Sequence, residues 1–480
     1  MASGVVVAER VAGRDLRDIL ADVIRPEGAE PGPAHRDQLA GSAHADGRPT
    51  SPSGHAEGTS PAPAEPGGPA LEGNDDGSDP GSASSPRAAR PAPGRGAAPG
   101  TSSSPGGSAG TAGSTEPGVA DPGTGAGQQP ATDPGVSAAT ALERTVSELQ
   151  PFVESEAGLT FKAPVPIRIL SDSEFRSRLD ELNWLPAGAE AERLEGVYRS
   201  LGLIGSNVDV ATELAKFTRS EVATLYDAVD GQLLIRSAEP SAYLRTRLVR
   251  ELTRALDDQH FDIYRPTLDD PYDEARDGLK ALAEGDAGRV HDRYVAGLPV
   301  TDRAQVEAER QRINRQTPAN INPAVLARFG YAVNQGQNLV AALLSAGGRG
   351  RLNGAFAAPP TTSEQVLHPD RYLAGDGRRS VAEPGAAGAV EARGTLGEIG
   401  LISMLSGSMD GDTAARAALG WGGDRFVSWR QGNLTCTAMT IVTDTATDAS
   451  ELGDALRRWA AARGGAEVTG TGPYGIKRCA

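Results

Sequence analysis

Aromatic residues, cysteine and long apolar runs are all scarce in this chain of 480 residues. Aromatic residues make up 4% of the sequence, and the two cysteines are Cys436 and Cys479. Two cysteines so far apart provide neither a zinc-ligand spacing nor a dense disulfide framework, and either one bond between them or two free thiols fits the sequence. No run is long and apolar enough to cross a bilayer, so we expect no transmembrane segment.

Basic charge is also in short supply. The formal net charge is -16, and the isoelectric point is about 5.0. Nucleic acids and anionic membranes need a basic face, so we expect neither as a partner. The N-terminus has no basic segment, and Glu9 and Arg10 interrupt its apolar run, which is unlike a signal peptide. The sequence as written predicts a cytoplasmic protein, whereas a start codon further upstream would allow a secreted or envelope-associated one.

The 60 glycines and 34 prolines of the sequence are concentrated in the first third of the chain. Residues 1–24 include a possible short amphipathic helix, Val5–Ile24. Residues 25–140 contain almost no large apolar side chain, so they cannot bury enough surface to offset chain entropy. We predict that this segment is a disordered linker rich in Gly, Pro and Ser.

Order is predicted from Ala141 onwards, in an α+β fold that is mainly helical. Helical spacing of apolar residues recurs along most of this part. A turn at Asp230-Gly231 indicates a β-hairpin, and a second hairpin is predicted near the C-terminus. The predicted strands are Pro164–Leu170, Val222–Tyr226, Gln232–Arg236, Phe426–Arg430 and Leu434–Val442.

The segment LVRELTRALDDQH, residues 248–260, carries the most informative motif. Its core, Arg250-Glu251-Leu252-Thr253-Arg254, resembles the H-E-x-x-H helix of zinc peptidases. In that helix the two His lie on one face and bind one metal ion, and the Glu is the general base. Here Arg occupies both His positions, and a protonated guanidinium has no lone pair to give to a metal.

Further segments resemble a group of actinobacterial metallopeptidase-like proteins of the gluzincin type. They are YLRTRLVRELTRALDDQHFD, EARDGLKALAEGDA, PPTTSEQVLHPDRY and GWGGDRF, in this order along the chain. The resemblance implies that Arg250 and Arg254 match the two His ligands, Glu284 the third ligand and Glu251 the general base. It implies zinc as the cofactor of the family, but because both His are missing we expect no cofactor here.

The resemblance also implies an architecture. It predicts a zincin-like core with a short β-sheet over residues 141–300. The remaining residues, 301–480, are predicted to form a helical part that ends in a β-hairpin and a helix. A strand pair ahead of the motif helix would place Tyr226 on an edge strand beside the cleft, where such a strand can line a bound peptide.

Two interpretations of the arginines are open, the first from the residues alone and the second from what the resemblance implies. Leu244, Leu248, Leu252 and Leu256 form one apolar stripe, so Arg247, Arg250 and Arg254 could form a solvated basic face opposite it. Alternatively, the two guanidinium groups that replace the His would lie in the former metal pocket and pair with Glu251 and Glu284. A carboxylate left in a cleft without its metal needs a paired cation, which favours the second interpretation.

Three functions remain open from the sequence. The first is a non-catalytic pseudo-metallopeptidase that binds a peptide or protein partner. The second is a zinc-dependent hydrolase with relocated ligands, drawn from Glu284, His291 and His368. A paralogue that is losing its role is the third. Without such ligands His291 is expected on the helix surface and His368 in a loop, where it makes hydrogen bonds.

Overall fold

The computed structural model describes residues 134–182, 186–218, 223–236, 241–268, 270–316 and 321–480. The predicted helix Val5–Ile24 and the predicted linker up to residue 133 lie outside the described residues. The first described helix begins at Pro134, seven residues before the expected start at Ala141. Proline fits the first turn of a helix, and the sequence VSAATALER that follows is rich in helix-forming residues.

Helices dominate the described part of the chain, which confirms the α+β, mainly helical prediction. They are α1 (Pro134–Ala157), α2 (Asp172–Glu181), α3 (Ala189–Ser200), α4 (Val210–Thr218), α5 (Ala242–Phe261), α6 (Ala275–Gly297), α7 (Val300–Gln316), α8 (Pro323–Ala357), α9 (Ser363–Leu367), α10 (Pro369–Ala374), α11 (Gly397–Ser406), α12 (Gly411–Ala418) and α13 (Ala446–Ala461). Helix α8 is broken at Gly347-Gly348, where Gly348 has φ 61°, as the glycine pair predicts.

The first sheet has three strands, β1 (Ile167–Leu170), β2 (Thr224–Asp227) and β3 (Gln232–Arg236). Their order is β1-β3-β2, so β3 is the central strand, parallel to β1 and antiparallel to β2. The turn between β2 and β3 ends at Gly231, which has φ 67°, so the predicted hairpin is confirmed. Strand β2 is therefore an edge strand, and it packs against α5.

The second sheet has five antiparallel strands, three of which the sequence did not reveal. They are β4 (Val390–Gly394), β5 (Trp421–Gln431), β6 (Leu434–Thr443), β7 (Glu467–Thr469) and β8 (Tyr474–Cys479), in the order β4-β5-β6-β8-β7. The predicted hairpin is β5–β6. The expectation of a lone terminal hairpin is corrected, because β4, β7 and β8 are short and lie in Gly-rich or polar sequence that hides their alternation.

Two large hydrophobic clusters form the core. One joins α1, α5, α6 and most of α8 to the three-stranded sheet. The other joins α3, α11 and α13 to the five-stranded sheet and includes the first turns of α8. Both clusters take residues from either side of residue 300, where the sequence suggested a boundary, and α8 contributes to both.

Cys436 and Cys479 are joined by a disulfide bond, which settles the alternative that the sequence left open. Cys436 lies on β6 and Cys479 on β8, directly opposite each other in the antiparallel pair. The bond therefore fastens the C-terminal strand to the middle of the second sheet. In the described part of the chain, no helix is long and apolar enough to cross a membrane.

Replacing Cys436 and Cys479 together by Ala is expected to lower the free energy of unfolding by about 2–4 kcal/mol. A bond that closes a loop of this length, with a sequence separation of 43, restricts the unfolded chain. Urea unfolding of the full chain measures the effect. Dithiothreitol should destabilise the native protein to the level of the double variant and leave the variant unchanged. Two reactive thiols in the untreated native protein would contradict the bond.

Candidate functional site

Helix α5 is buried on all sides, and this decides how its arginines are placed. Ser241 caps its first turn by accepting a hydrogen bond from Leu244 N at 3.1 Å. The leucine stripe at Leu244, Leu248, Leu252 and Leu256 is buried, as predicted. The opposite side is covered as well. The solvated basic face is therefore wrong, since only 3%, 8% and 1% of the surfaces of Arg247, Arg250 and Arg254 are exposed.

Arg250 and Arg254 converge on Glu284 of the neighbouring helix α6. Arg250 Nη2 donates to Glu284 Oε2 at 2.6 Å, and Arg254 Nη1 lies 3.2 Å from Glu284 Oε1. Residues four apart share one helix face, which is why both guanidinium groups reach the same carboxylate. Helix α6 is held close by α8, because a Cβ at Gly285 would lie 2.2 Å from the carbonyl oxygen of Gly336.

Glu251 is completely buried and is engaged in a different way. Its Oε2 accepts a hydrogen bond from the backbone N of Tyr226 at 2.9 Å and lies 3.6 Å from Arg254 Nη1. The second distance is in ion-pair range but too long for a hydrogen bond. The predicted pairing of the arginines with both carboxylates therefore holds as direct contact for Glu284 and as a longer ion pair for Glu251.

The four charges balance each other in a site that solvent hardly reaches. Burial alone would raise the pKa of Glu284, but the charges of Arg254 and Arg250 outweigh it and lower that pKa to about 2. Burial works against the charge of Arg254 too, yet Glu284 and Glu251 raise its pKa above the usual value. Arg254 and Glu284 are therefore charged throughout the working pH range.

This arrangement does not fit a zinc ion. Arginines stand at the two positions where the resemblance would place His ligands, and their guanidinium groups occupy the carboxylate of Glu284, which it would make the third ligand. A permanently protonated guanidinium cannot ligate a metal. No three of the described His, Cys, Asp and Glu side chains form a group that could hold a metal ion.

Tyr226 belongs to this site, but not as an open edge of the sheet. It lies on β2 with its whole side chain buried, and its hydroxyl donates to Asp258 Oδ2 at 2.7 Å. Because Tyr226 N–H is already bonded to Glu251, a peptide backbone cannot use this donor while Glu251 stays in place. The carboxylate of Glu251 therefore occupies the one backbone donor of β2 at Tyr226.

The two histidines occupy different places. His291 lies on α6 with 20% of its side chain exposed, and its Nδ1 is 3.0 Å from Asp292 Oδ1. Burial and the nearby charges of Arg247 and Arg250 lower its pKa, so it is close to the arginine site. His368 instead bonds to Glu398 Oε1 at 3.0 Å, and its charged neighbours include Glu364 rather than Glu284. The structure gives no support to a single relocated set of ligands made from Glu284, His291 and His368.

Sequence reasoning missed the two aspartates that follow the motif. Asp258 accepts hydrogen bonds from Tyr226 Oη and from Ile263 N, which ties the end of α5 to β2. Asp257 is 1% exposed, and burial together with the charge of Asp286 raises its pKa well above the usual value. The adjacent pair Asp257-Asp258 at the end of an apolar helix was the available sequence signal for these buried carboxyls. Residue spacing alone, however, does not show which face of α5 other elements cover.

A pocket of about 520 Å³ opens elsewhere, at the end of the five-stranded sheet. Its lining includes Arg379, Asp444, Thr445, Thr471 and Pro473. None of the residues that the sequence singled out lines it. The arginine site is thus a filled interior, and this opening belongs to a different part of the fold.

Comparison with known families describes the C-terminal part alone. Residues 387–478 match a family model described as "Domain of unknown function (DUF8575)". The match spans the five-stranded sheet and helices α11 to α13, but less than half of the chain, and the arginine site lies outside it. The chain has no significant match among curated proteins and none among solved structures.

Proposed function

We propose that this chain is a non-catalytic counterpart of the gluzincin-type zinc peptidases and serves as a peptide- or protein-binding module. One observation carries the first part of the proposal. Arg250 and Arg254, at the spacing of the two His ligands, both contact Glu284, which matches the third ligand. Two fixed cations thus stand where the zinc charge would be in a zincin-like core.

The position of Glu251 supports the same conclusion. A general base in this chemistry acts on a water molecule that a metal ion polarises. Glu251 is fully buried, accepts the Tyr226 N–H, and is next to Arg254. Its carboxylate stabilises the contact between α5 and β2, and this structural role leaves it unsuited to proton abstraction from water.

The binding role is drawn from the resemblance and from the surface that remains open. Because Glu251 already accepts the backbone N–H of Tyr226, a peptide cannot pair with β2 at this residue. A partner therefore has to bind outside the former cleft. The pocket beside Asp444 and Arg379 offers one acidic and one basic side chain with several hydroxyl groups, which suits the polar atoms of a peptide.

A peptidase assay with a fluorogenic peptide library tests this proposal. The full chain is incubated with added zinc, beside the Glu251→Gln variant as a matched control. We expect no cleavage above that of the variant, because the site offers no metal and no free base. Peptides bound without cleavage, detected by fluorescence anisotropy, would support the binding role. Cleavage that disappears in Glu251→Gln would show an active hydrolase and overturn the proposal.

A further inference from the structure

Several carboxyl groups are buried where α6, α9 and α11 meet the five-stranded sheet. Glu274, Glu364, Glu398 and Asp424 are 0%, 3%, 1% and 2% exposed. Glu398 and Asp424 lie inside the region matched by the family model, and Glu274 and Glu364 lie outside it. The four groups, which we call the carboxyl junction, therefore lie where the matched region joins the rest of the fold.

Asp424 is the well-paired member of the carboxyl junction. It accepts hydrogen bonds from Leu396 N at 2.7 Å and from Gly397 N and Trp421 Nε1, both at 2.9 Å. In this way it caps the N-terminus of α11 from strand β5, which is the usual place for a carboxylate. Burial raises the pKa of Asp424 to about 6, although the three donors and the charge of Arg378 favour its charged form.

Glu274 is buried without such partners. Within the described residues neither of its carboxyl oxygens has a hydrogen bond of full geometry, and the Ser363 hydroxyl is a nearby donor that favours its charged form. The group packs against Gly397, where an added Cβ would lie 1.8 Å from Glu274 Oε1. The nearest arginine, Arg328, forms its ion pair with Asp277 instead. A buried carboxylate without a partner is costly, and protonation removes that cost.

Glu364 and Glu398 repeat the pattern on the other side of α11. Glu364 Oε1 and Glu398 Oε2 have no hydrogen-bond partner within the described chain. The charged groups that face these two carboxyls are their own partner carboxyl and His368, Arg371, Asp376 and Asp444. Arg371 is engaged with Asp376 at 2.7 Å and Asp444 at 3.0 Å, so His368 is the cation that bonds directly to Glu398.

We propose that the carboxyl junction is a proton-sensitive contact, which tightens the packing of α6 and α9 against α11 and the sheet as pH falls. Protonated Glu274 and Glu364 bring no charge into the interior, and cationic His368 pairs with Glu398. When these protons leave, Glu274 carries a negative charge beside Asp424, and Glu364 carries one beside Glu398, with few free cations near either pair. The contact then loosens, because like charges repel strongly in a dry interior.

The direction of the pH effect follows from the pKa values. Burial raises the pKa of Glu274 to about 8; the hydrogen bond from Ser363 and the charge of Arg328 oppose the rise, and Asp424 and Asp277 add to it. Burial and the charges of Glu398 and Asp444 raise the pKa of Glu364 to about 8 as well. The folded chain therefore binds these protons more tightly than the unfolded chain does, so stability is gained as pH falls below about 8 and lost as pH rises through it.

Other titratable groups determine the pH range in which the effect of the carboxyl junction can be measured. The pKa of His368 is raised, because Glu398 and Glu364 outweigh the effect of burial, so its contribution has the same sign. The pKa of His291 is lowered by burial, so its effect is opposite but is confined to pH values below its usual range. Lys280, whose pKa burial lowers to about 8, opposes this effect, and Asp257, whose pKa is raised, adds to it, so variants of the junction are needed to assign the effect. Each of the two glutamates is expected to favour the folded state about twentyfold more at pH 6.5 than at pH 8.5.

Urea unfolding of the full chain at pH 6.5 and 8.5 tests the proposal. The native chain should unfold at a higher urea concentration at pH 6.5. Glu274→Gln, which resembles the protonated acid in shape, should raise the midpoint at pH 8.5 and leave it nearly unchanged at pH 6.5. The control Asp277→Asn removes a carboxylate paired with Arg328, and it should lower the midpoint at both pH values. A lower midpoint for Glu274→Gln at pH 8.5 would overturn the proposal.

Infrared spectroscopy gives a second test that needs no variant. Protonated carboxyl groups absorb apart from carboxylates, so the native chain should gain this absorption when the pH is lowered from 8.5 to 6.5. Exposed Asp and Glu side chains are ionised over that whole interval and contribute nothing. The buried Asp257, whose pKa is also raised, lies outside the junction and can add to the gain. An unchanged spectrum would show that the buried carboxyls of the junction do not take up protons there, which would contradict the proposal.

Discussion

Replacement of Arg250 and Arg254 together by His is expected to create a zinc site in this chain. Both guanidinium groups reach Glu284 from positions four residues apart on α5. An imidazole is shorter than an arginine side chain. The substitution therefore leaves a gap between the imidazole nitrogen and Glu284. A zinc ion, with bonds of about 2.0–2.2 Å to each ligand, would fill that gap. Two His and one Glu are then a complete set of protein ligands for a catalytic type of site.

Elemental analysis of the folded Arg250→His/Arg254→His variant, after dialysis against zinc, measures this result. We expect one zinc per chain. Arg250→His alone should bind far less, because Arg254 still places a positive charge on Glu284. Adding Glu284→Ala to the double variant should abolish binding. A double variant that folds, as shown by circular dichroism, yet holds no zinc would contradict the match between these residues and the ligands of the gluzincins.

Replacement of Glu284 by Gln is expected to destabilise the native chain by about 3–5 kcal/mol. The substitution keeps the shape of the side chain but removes the charge that balances Arg250 and Arg254. Removing only one partner of a buried ion pair leaves an uncompensated charge in the interior. This destabilises the fold much more than removing both partners together. Arg254 is 1% exposed and cannot turn towards water without unpacking α5.

Urea unfolding compares this variant with two controls. Glu309→Gln removes the carboxylate of an exposed pair with Arg312, and it should cost less than about 1 kcal/mol. Replacing Arg250 by Met, Arg254 by Leu, Glu284 by Leu and Glu251 by Gln removes all four charges together and should recover much of the loss. A Glu284→Gln variant as stable as the native chain would show that the charges of Arg250 and Arg254 are balanced by some other group.

Local patterns predicted the elements that build the site. The leucine spacing placed α5, and Asp230-Gly231 placed the β2–β3 turn, because both signals come from neighbours in sequence. The contact of Arg250 and Arg254 with Glu284 was expected only through the resemblance, since nothing in spacing connects α5 to α6. Strands β4, β7 and β8 escaped notice because a short strand acquires its pattern from the strands beside it.

Burial and backbone contacts set the limit of what the sequence could predict. Periodicity divides α5 into two faces, but it cannot show that α6 covers the arginine face. The hydrogen bond from Tyr226 N to Glu251 uses a backbone donor, which nearly every residue type has. The identity of residue 226 therefore could not predict this bond. The pairing of His368 with Glu398, which are 30 residues apart, likewise depends on how α9 and α10 pack against α11.

The zinc content of the native full chain tests the central claim most directly. The purified protein is dialysed against zinc, then against buffer, and its metal is measured by elemental analysis. If Arg250 and Arg254 neutralise Glu284 in place of a metal ion, zinc should remain far below one per chain. One tightly held zinc per chain would contradict that account and would make the chain a metalloprotein whose ligands lie elsewhere.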